Sequence, residues 1–275
     1  MPNALPADLW MYGAALLATG LFGGLMAGLL GVGGGIVIVP VLYHVFTALG
    51  IDENVRMHVA VATSLATILP TSIRSLSAHN KRGAVDAAVL RSWARPMIAG
   101  ALIGTVVAKM IGGDGLTLIF ACVALLVGLN MAFGKEEWRL SDHLPNVLVQ
   151  SAIAAATGFL STLIGIGGGA FGVTALTLYN VPIHRAVATS AGFGLLIAIP
   201  ATLGFIITGW SVPARPPFSL GYVSMIGFAL IVPMTLLAVP WGATLAHRLS
   251  RKALRRAFAV FLAVTSIRMF IGYFS

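Results

Sequence analysis

Two segments of this chain combine residue types that suit the binding of a small oxyanion. The first is Gly31-Val-Gly-Gly-Gly35, followed by His58-Val-Ala-Val-Ala-Thr63-Ser64. The second is Gly165-Ile-Gly-Gly-Gly169, followed by His184-Arg-Ala-Val-Ala-Thr189-Ser190. Consecutive glycines interrupt a helix, because each costs ~1 kcal/mol relative to Ala in a helix interior. They also leave backbone N–H groups that lipid cannot satisfy. A helix restarting after such a break aims its positive dipole end and its free N–H donors at whatever faces it, which favours an anion.

The donor candidates are therefore the backbones of Gly33, Gly34, Gly35, Gly167, Gly168 and Gly169, with the hydroxyls of Thr63, Ser64, Thr189 and Ser190 beside them. Each feature has a purely structural alternative. Glycines also let helices pack closely, and Thr or Ser inside a helix commonly bonds back to the preceding turn. The repetition of both motifs about half a chain apart favours binding. His58 and His184 stand at matching positions with Arg56 and Arg185 close by. They suit a cationic vestibule or a protonation switch, or are simply solvated. Arg268 lies well inside an apolar segment, where a charge either serves function or snorkels to the surface.

Several chemistries are excluded. All eight acidic residues (Asp8, Asp52, Glu53, Asp86, Asp114, Glu136, Glu137 and Asp142) fall in terminal or loop segments. No carboxylate is left inside an apolar segment to bind a cation or relay protons. No His/Cys/Asp/Glu cluster has metal-ligand spacing, and no Gly-x4-Gly-Lys-Ser/Thr run binds a nucleotide. The serines lack a placed base. No catalytic residue, metal or cofactor is expected, and the chain does not read as an enzyme. Cys122 stands alone in an apolar helix, where it packs as a small hydrophobe.

The elements that position these residues follow from composition. Of 275 residues, 58% are hydrophobic and only 9% charged, and the mean hydropathy is +0.96. Apolar runs near the ~20 residues that cross a bilayer recur throughout. The class is an all-α polytopic membrane protein. Apolar segments fall near 9–30, 35–49, 54–78, 93–110 and 116–133, then 144–164, 168–181, 184–209, 219–245 and 254–274, giving about 8–10 transmembrane or re-entrant helices. Segments 35–49 and 168–181 would rise only ~20 Å, short of the ~30 Å core. Each glycine cluster is then either the tip of a re-entrant hairpin or a loop between spans. Nothing before the first segment resembles a basic signal-peptide start, so that segment is expected to persist. Trp10, Tyr12, Trp93, Trp138, Trp210, Tyr222 and Trp241 fit an interfacial aromatic belt.

The net charge of +9 is concentrated in two short stretches. One carries Lys81, Arg82, Arg91 and Arg95, the other Arg248, Arg251, Lys252, Arg255 and Arg256. This is the positive-inside signature rather than a nucleic-acid footprint. The basic loop of the first half follows its third segment, whereas that of the second half follows its fourth. Equivalent loops thus lie on opposite sides, as two inverted-topology repeats require. The expected division is a first membrane repeat over 1–134, a cytoplasmic connection over 135–143, and a second membrane repeat over 144–275, with both termini periplasmic.

At Gly28–Ile36, Ala60–Ser64, 165–169 and 186–190 the chain resembles the sulfite exporter TauE/SafE family. The resemblance spans nearly the whole sequence. It implies a permease of the bacterial inner membrane that moves sulfite, organosulfonates or related sulfur oxyanions, often outward. The partners are then a small anion and the lipid bilayer, with a homodimer open. Proton-coupled uptake of a similar anion, or a channel-like or accessory subunit, are the competing expectations.

Overall fold

The computed structural model describes residues 6–30, 34–133, 139–246 and 251–274. Among the described residues, nine helices and one short hairpin follow in order: α1 (Pro6–Leu30), α2 (Gly35–Ala48), α3 (Glu53–Lys81), α4 (Ala87–Phe133), α5 (Val147–Leu163), α6 (Gly169–Leu178), α7 (Ile183–Gly209), β1 (Ser219–Leu220), β2 (Val223–Ser224), α8 (Met225–Ala246) and α9 (Arg251–Phe274). Among the described residues, α1, α3, α4, α7 and α8 are long and apolar enough to cross a membrane. This is an all-α, multi-pass membrane fold.

Local chemistry sets the boundaries. Asp52 caps α3 by accepting the Asn54 N–H, and Asn146 caps α5 by accepting that of Val149. Glu53 in the first turn of α3 and Lys81 in its last turn complement the helix dipole. The 47 residues of α4 are two limbs, divided at Gly112, whose backbone (φ 71°, ψ −179°) is closed to other residue types. The fourth and fifth apolar segments are therefore joined by a single broken residue rather than by the loop expected at 111–115. The fourth also begins earlier, at Ala87. Conversely, 219–224 forms a two-stranded antiparallel turn, so α8 begins six residues later than expected.

The centre of the molecule is the antiparallel pair α3 and α7. His58 faces Phe205 at one end, and Ser72 lies against Gly194 toward the other. Two further pairs flank it. α1 lies parallel to α8, with Gly20 on Ile231, Gly24 on Thr235 and Gly242 on Leu25. α5 lies parallel to α4, with Trp93 bonded to Gln150 and Gly158 on the Met97 backbone. Small residues let these backbones meet, the usual mode of association in lipid. α3 and α8 also run parallel, since Thr63 meets Ser224 and Arg74 meets Leu236. The last turns of α3 and α8 and the first turns of α4 and α9 therefore share one end, the basic end, while α1 starts and α9 finishes at the other.

Two helical hairpins, α1–α2 and α5–α6, enter from opposite ends. The Tyr12 hydroxyl donates to Ala48 O at 3.0 Å, closing the first away from the basic end. The Leu140 N–H donates to Leu178 O at 2.8 Å, closing the second at the basic end. The 14 residues of α2 and 10 of α6 rise only ~21 and ~15 Å. Each hairpin returns to the end it came from, and Gly34, Gly35 and the run 165–169 are buried.

Of the expected belt aromatics, Trp10, Trp210 and Trp241 are exposed. Trp93 and Tyr222 are not belt residues. Trp93 is buried and stacked on Phe193 with ring centroids 5.2 Å apart, and Tyr222 is buried against His58. Trp93 stands nearly two turns inside α4, which starts at Ala87, and Tyr222 belongs to the 219–224 turn folded over His58. Trp138 lies outside the described residues. Cys122 faces outward from α4 rather than packing inside.

Candidate functional site

The glycine breaks meet. The Ser64 hydroxyl on α3 donates to Gly165 O at 2.8 Å. A Cβ placed on Gly35 would lie 2.5 Å from that same oxygen and 3.1 Å from Ser64 Oγ. Only glycine fits where the first tip, the second tip and α3 converge. Both breaks end alike, on a left-handed glycine that precedes the new helix: Gly34 (φ 71°) before α2 and Gly168 (φ 69°) before α6.

Each restarted helix leaves its first donors free. The N–H groups of Gly35 and Ile36, and those of Gly169, Ala170 and Phe171, have no acceptor among the described residues. Beside the first turn of α6 lies Ser190 Oγ, 2.9 Å from where a Gly172 Cβ would sit. Ser190 is 1% exposed and its hydroxyl has no partner. Ser161 and Thr162, at the end of α5, also bury unpartnered hydroxyls. A buried hydroxyl without a bond is costly, and that of Ser190 stands beside the unbonded N–H donors that open α6. The walls are apolar: Ile68 packs on Gly167, and Ile197 and Phe193 on Gly168.

The two threonines do something the sequence did not indicate. Thr63 Oγ1 accepts the N–H of Ser224 at 2.9 Å, and Thr189 Oγ1 accepts the N–H of Asp86 at 2.9 Å. Ser224 and Asp86 are both helix caps. The Ser224 hydroxyl accepts the Gly227 N–H at the start of α8, and Asp86 Oδ1 accepts those of Ala88 and Val89 at the start of α4. Each threonine of the repeated motif thus holds the first residue of a helix from the other half. No local signal reveals this, because the partner is more than 100 residues away.

The expected mouth residues divide. His58 is 3% exposed, with Nε2 2.9 Å from Ala108 O and its ring stacked on Tyr222 at 4.9 Å. Burial pushes the Tyr222 phenol up, with the Arg215 charge opposing, which keeps the ring neutral. Tyr222, Val223 and Phe205 close the bundle over His58. Arg56 is partly buried and donates twice to Ile51 O, with its guanidinium over the Tyr43 ring. His184 is exposed, and Arg185 pairs with Asp86 Oδ2 at 2.9 Å. Arg268 is exposed on α9, away from both tips. Gly33 lies outside the described residues.

Paired hairpins that carry unbonded N–H donors into a helical bundle fit a membrane transport protein. The sulfite exporter TauE/SafE family model matches residues 16–269, and the chain belongs to that family. A probable membrane transporter protein of Haemophilus influenzae is 31% identical over 255 residues, covering 93% of this chain and 97% of the relative. A probable membrane transporter protein of Methanocaldococcus jannaschii is 27% identical, covering 93% and 94%. YunE of Bacillus subtilis, of the same description, is 29% identical over 70% of this chain and 78% of its own length. No solved structure matches the chain.

Proposed function

We propose that the chain exports small sulfur-containing anions, such as sulfite or organosulfonates, across a bacterial inner membrane as a secondary transporter. The observation that carries this reading is the unpaired Ser190 hydroxyl beside the free N–H donors of α6. An oxyanion of three oxygens would satisfy both. Gly167, Gly168 and Gly169 then donate from one hairpin and Gly34 and Gly35 from the other, with Ser64 and Ser190 between them. Sulfite is taken from the family description.

Thr63 and Thr189 act on the anion through the two helices they hold. Release of Ser224 opens one side and release of Asp86 the other, so alternating access is the breaking of one latch at a time. The halves 1–134 and 144–275, joined by 135–143, work as two inverted repeats in this scheme. The basic end faces the cytoplasm by the positive-inside rule, which places both termini in the periplasm. An inside-negative potential then favours anion exit by ~2.3 kcal/mol per charge per 100 mV.

Counterflow of labelled sulfite and sulfoacetate in proteoliposomes of the purified chain tests this. Saturable, trans-stimulated flux that follows an imposed potential is expected. Flux driven only by a pH gradient would replace export with proton-coupled uptake, and flux without trans-stimulation would indicate a channel.

A further inference from the structure

Where α3 approaches the basic end, an open groove of about 540 Å³ runs between it and α8. That volume lies within the ~300–1,000 Å³ range of ligand clefts. Its inner part is apolar, formed by Pro70, Ile73 and Leu236. Its outer part is polar, formed by Arg74, Ser77 and Lys81, and no residue lining it is acidic. Arg74, Ser77 and Lys81 recur at spacings of three and four residues, so they share one face of α3. Arg74 and Lys81 are ~10 Å apart along the axis, within the combined reach of two long side chains. The Arg74 guanidinium, which lines the groove, donates to Leu236 O at 3.3 Å, one of its five N–H donors.

An apolar floor leading to a basic rim is complementary to an anionic phospholipid, with its acyl chain on the floor and its phosphate at the rim. We infer that the groove between α3 and α8 holds a single anionic phospholipid of the leaflet at the basic end. Its phosphate lies between Arg74 and Lys81 with Ser77 donating to an ester oxygen, and one acyl chain lies on Ile73, Pro70 and Leu236. None of these residues belongs to the hairpin tips or the latches, so the site stands whether or not the transport reading does. A cation beside an anionic lipid surface is worth about 1 kcal/mol, so the pair should favour an anionic over a zwitterionic lipid by at least about tenfold.

Native mass spectrometry of the detergent-purified chain, titrated with palmitoyl-oleoyl phosphatidylglycerol or phosphatidylcholine, provides the test. One phosphatidylglycerol adduct should persist at activation energies that strip phosphatidylcholine. The double variant Arg74→Gln/Lys81→Gln should weaken that adduct about tenfold, whereas Arg91→Gln, an exposed cation of α4 outside the groove, should leave it intact. Ile73→Trp keeps both cations but fills the apolar floor, and should also abolish the adduct. Unchanged phosphatidylglycerol retention in either groove variant overturns the site. Displacement of the adduct by an equal concentration of inorganic phosphate also overturns it, by showing a free-anion site instead.

Discussion

Thr63 Oγ1 accepts the N–H of Ser224 at 2.9 Å, tying the middle of α3 to the cap of α8. Thr189 makes the same bond to Asp86 at the start of α4. Replacing either Thr by Val keeps the shape and strands a backbone N–H, at a cost of about 1–3 kcal/mol. The two variants should therefore loosen opposite ends. In a Cys122→Ser background, a cysteine at Val223, 3% exposed, should react several-fold faster with a soluble maleimide in Thr63→Val. Thr189→Val should leave that rate unchanged. Equal acceleration by both variants would refute the idea that they are separate latches.

Ser64 and Ser190 occupy the same place in the repeated motif but different environments. Ser64 donates to Gly165 O, whereas Ser190 has no partner. Ser64→Ala should lower thermal stability measurably, by the ~1–3 kcal/mol of an orphaned carbonyl. Ser190→Ala should leave stability unchanged or slightly raised, and weaken sulfite affinity in flux assays roughly fivefold or more, as loss of a hydrogen bond to a charged group implies. Unchanged affinity in Ser190→Ala would remove the hydroxyl from the proposed site.

Gly35→Ala would put a methyl 2.5 Å from Gly165 O, backbone against backbone, with no flexible atom to yield. We expect a loss of several °C in melting temperature and abolished flux. Gly13→Ala in α1 meets nothing within 4 Å, and should instead raise stability by up to ~1 kcal/mol through helix propensity. Thermal unfolding in one detergent compares them directly.

Asp86 both caps α4 and pairs with Arg185, whose side chain is 56% exposed. An ion pair that open is worth at most about 1 kcal/mol. Asp86→Asn keeps the cap and should melt within a degree or two of the parent. Asp86→Ala loses the cap as well, and should be lower by about a further 1 kcal/mol. If Asn and Ala destabilise alike, the ion pair and not the cap is the main contribution.

Much of this fold is legible from residue order, because bilayer thickness and charge sidedness are one-dimensional constraints. The helix limits at Leu30, Gly35, Phe133 and Gly209 fall within a residue or two of where apolar runs and glycines place them. The glycines also mark both breaks, since Gly34 and Gly168 adopt a conformation other residues avoid. What tells the motif's two copies apart is not local. Ala60–Ser64 and Ala186–Ser190 read the same at all five positions, yet one serine is bonded and the other has no partner among the described residues. His58 and His184 diverge for the same reason: the 219–224 turn covers the first and leaves the second exposed. The strand turn itself is only two residues per strand, too short for an alternating pattern to announce it.

The contact between Gly35 and Gly165 assigns selectivity elsewhere. Where peptide meets peptide, every available donor and acceptor is common to all residue types and cannot tell one oxyanion from another. In the proposed site, discrimination by size or by an organic tail would fall to the apolar side chains of Ile68, Phe193 and Ile197 around the second tip. A change of cargo would thus be written in hydrocarbon volume at those positions, while the polar centre stayed as it is.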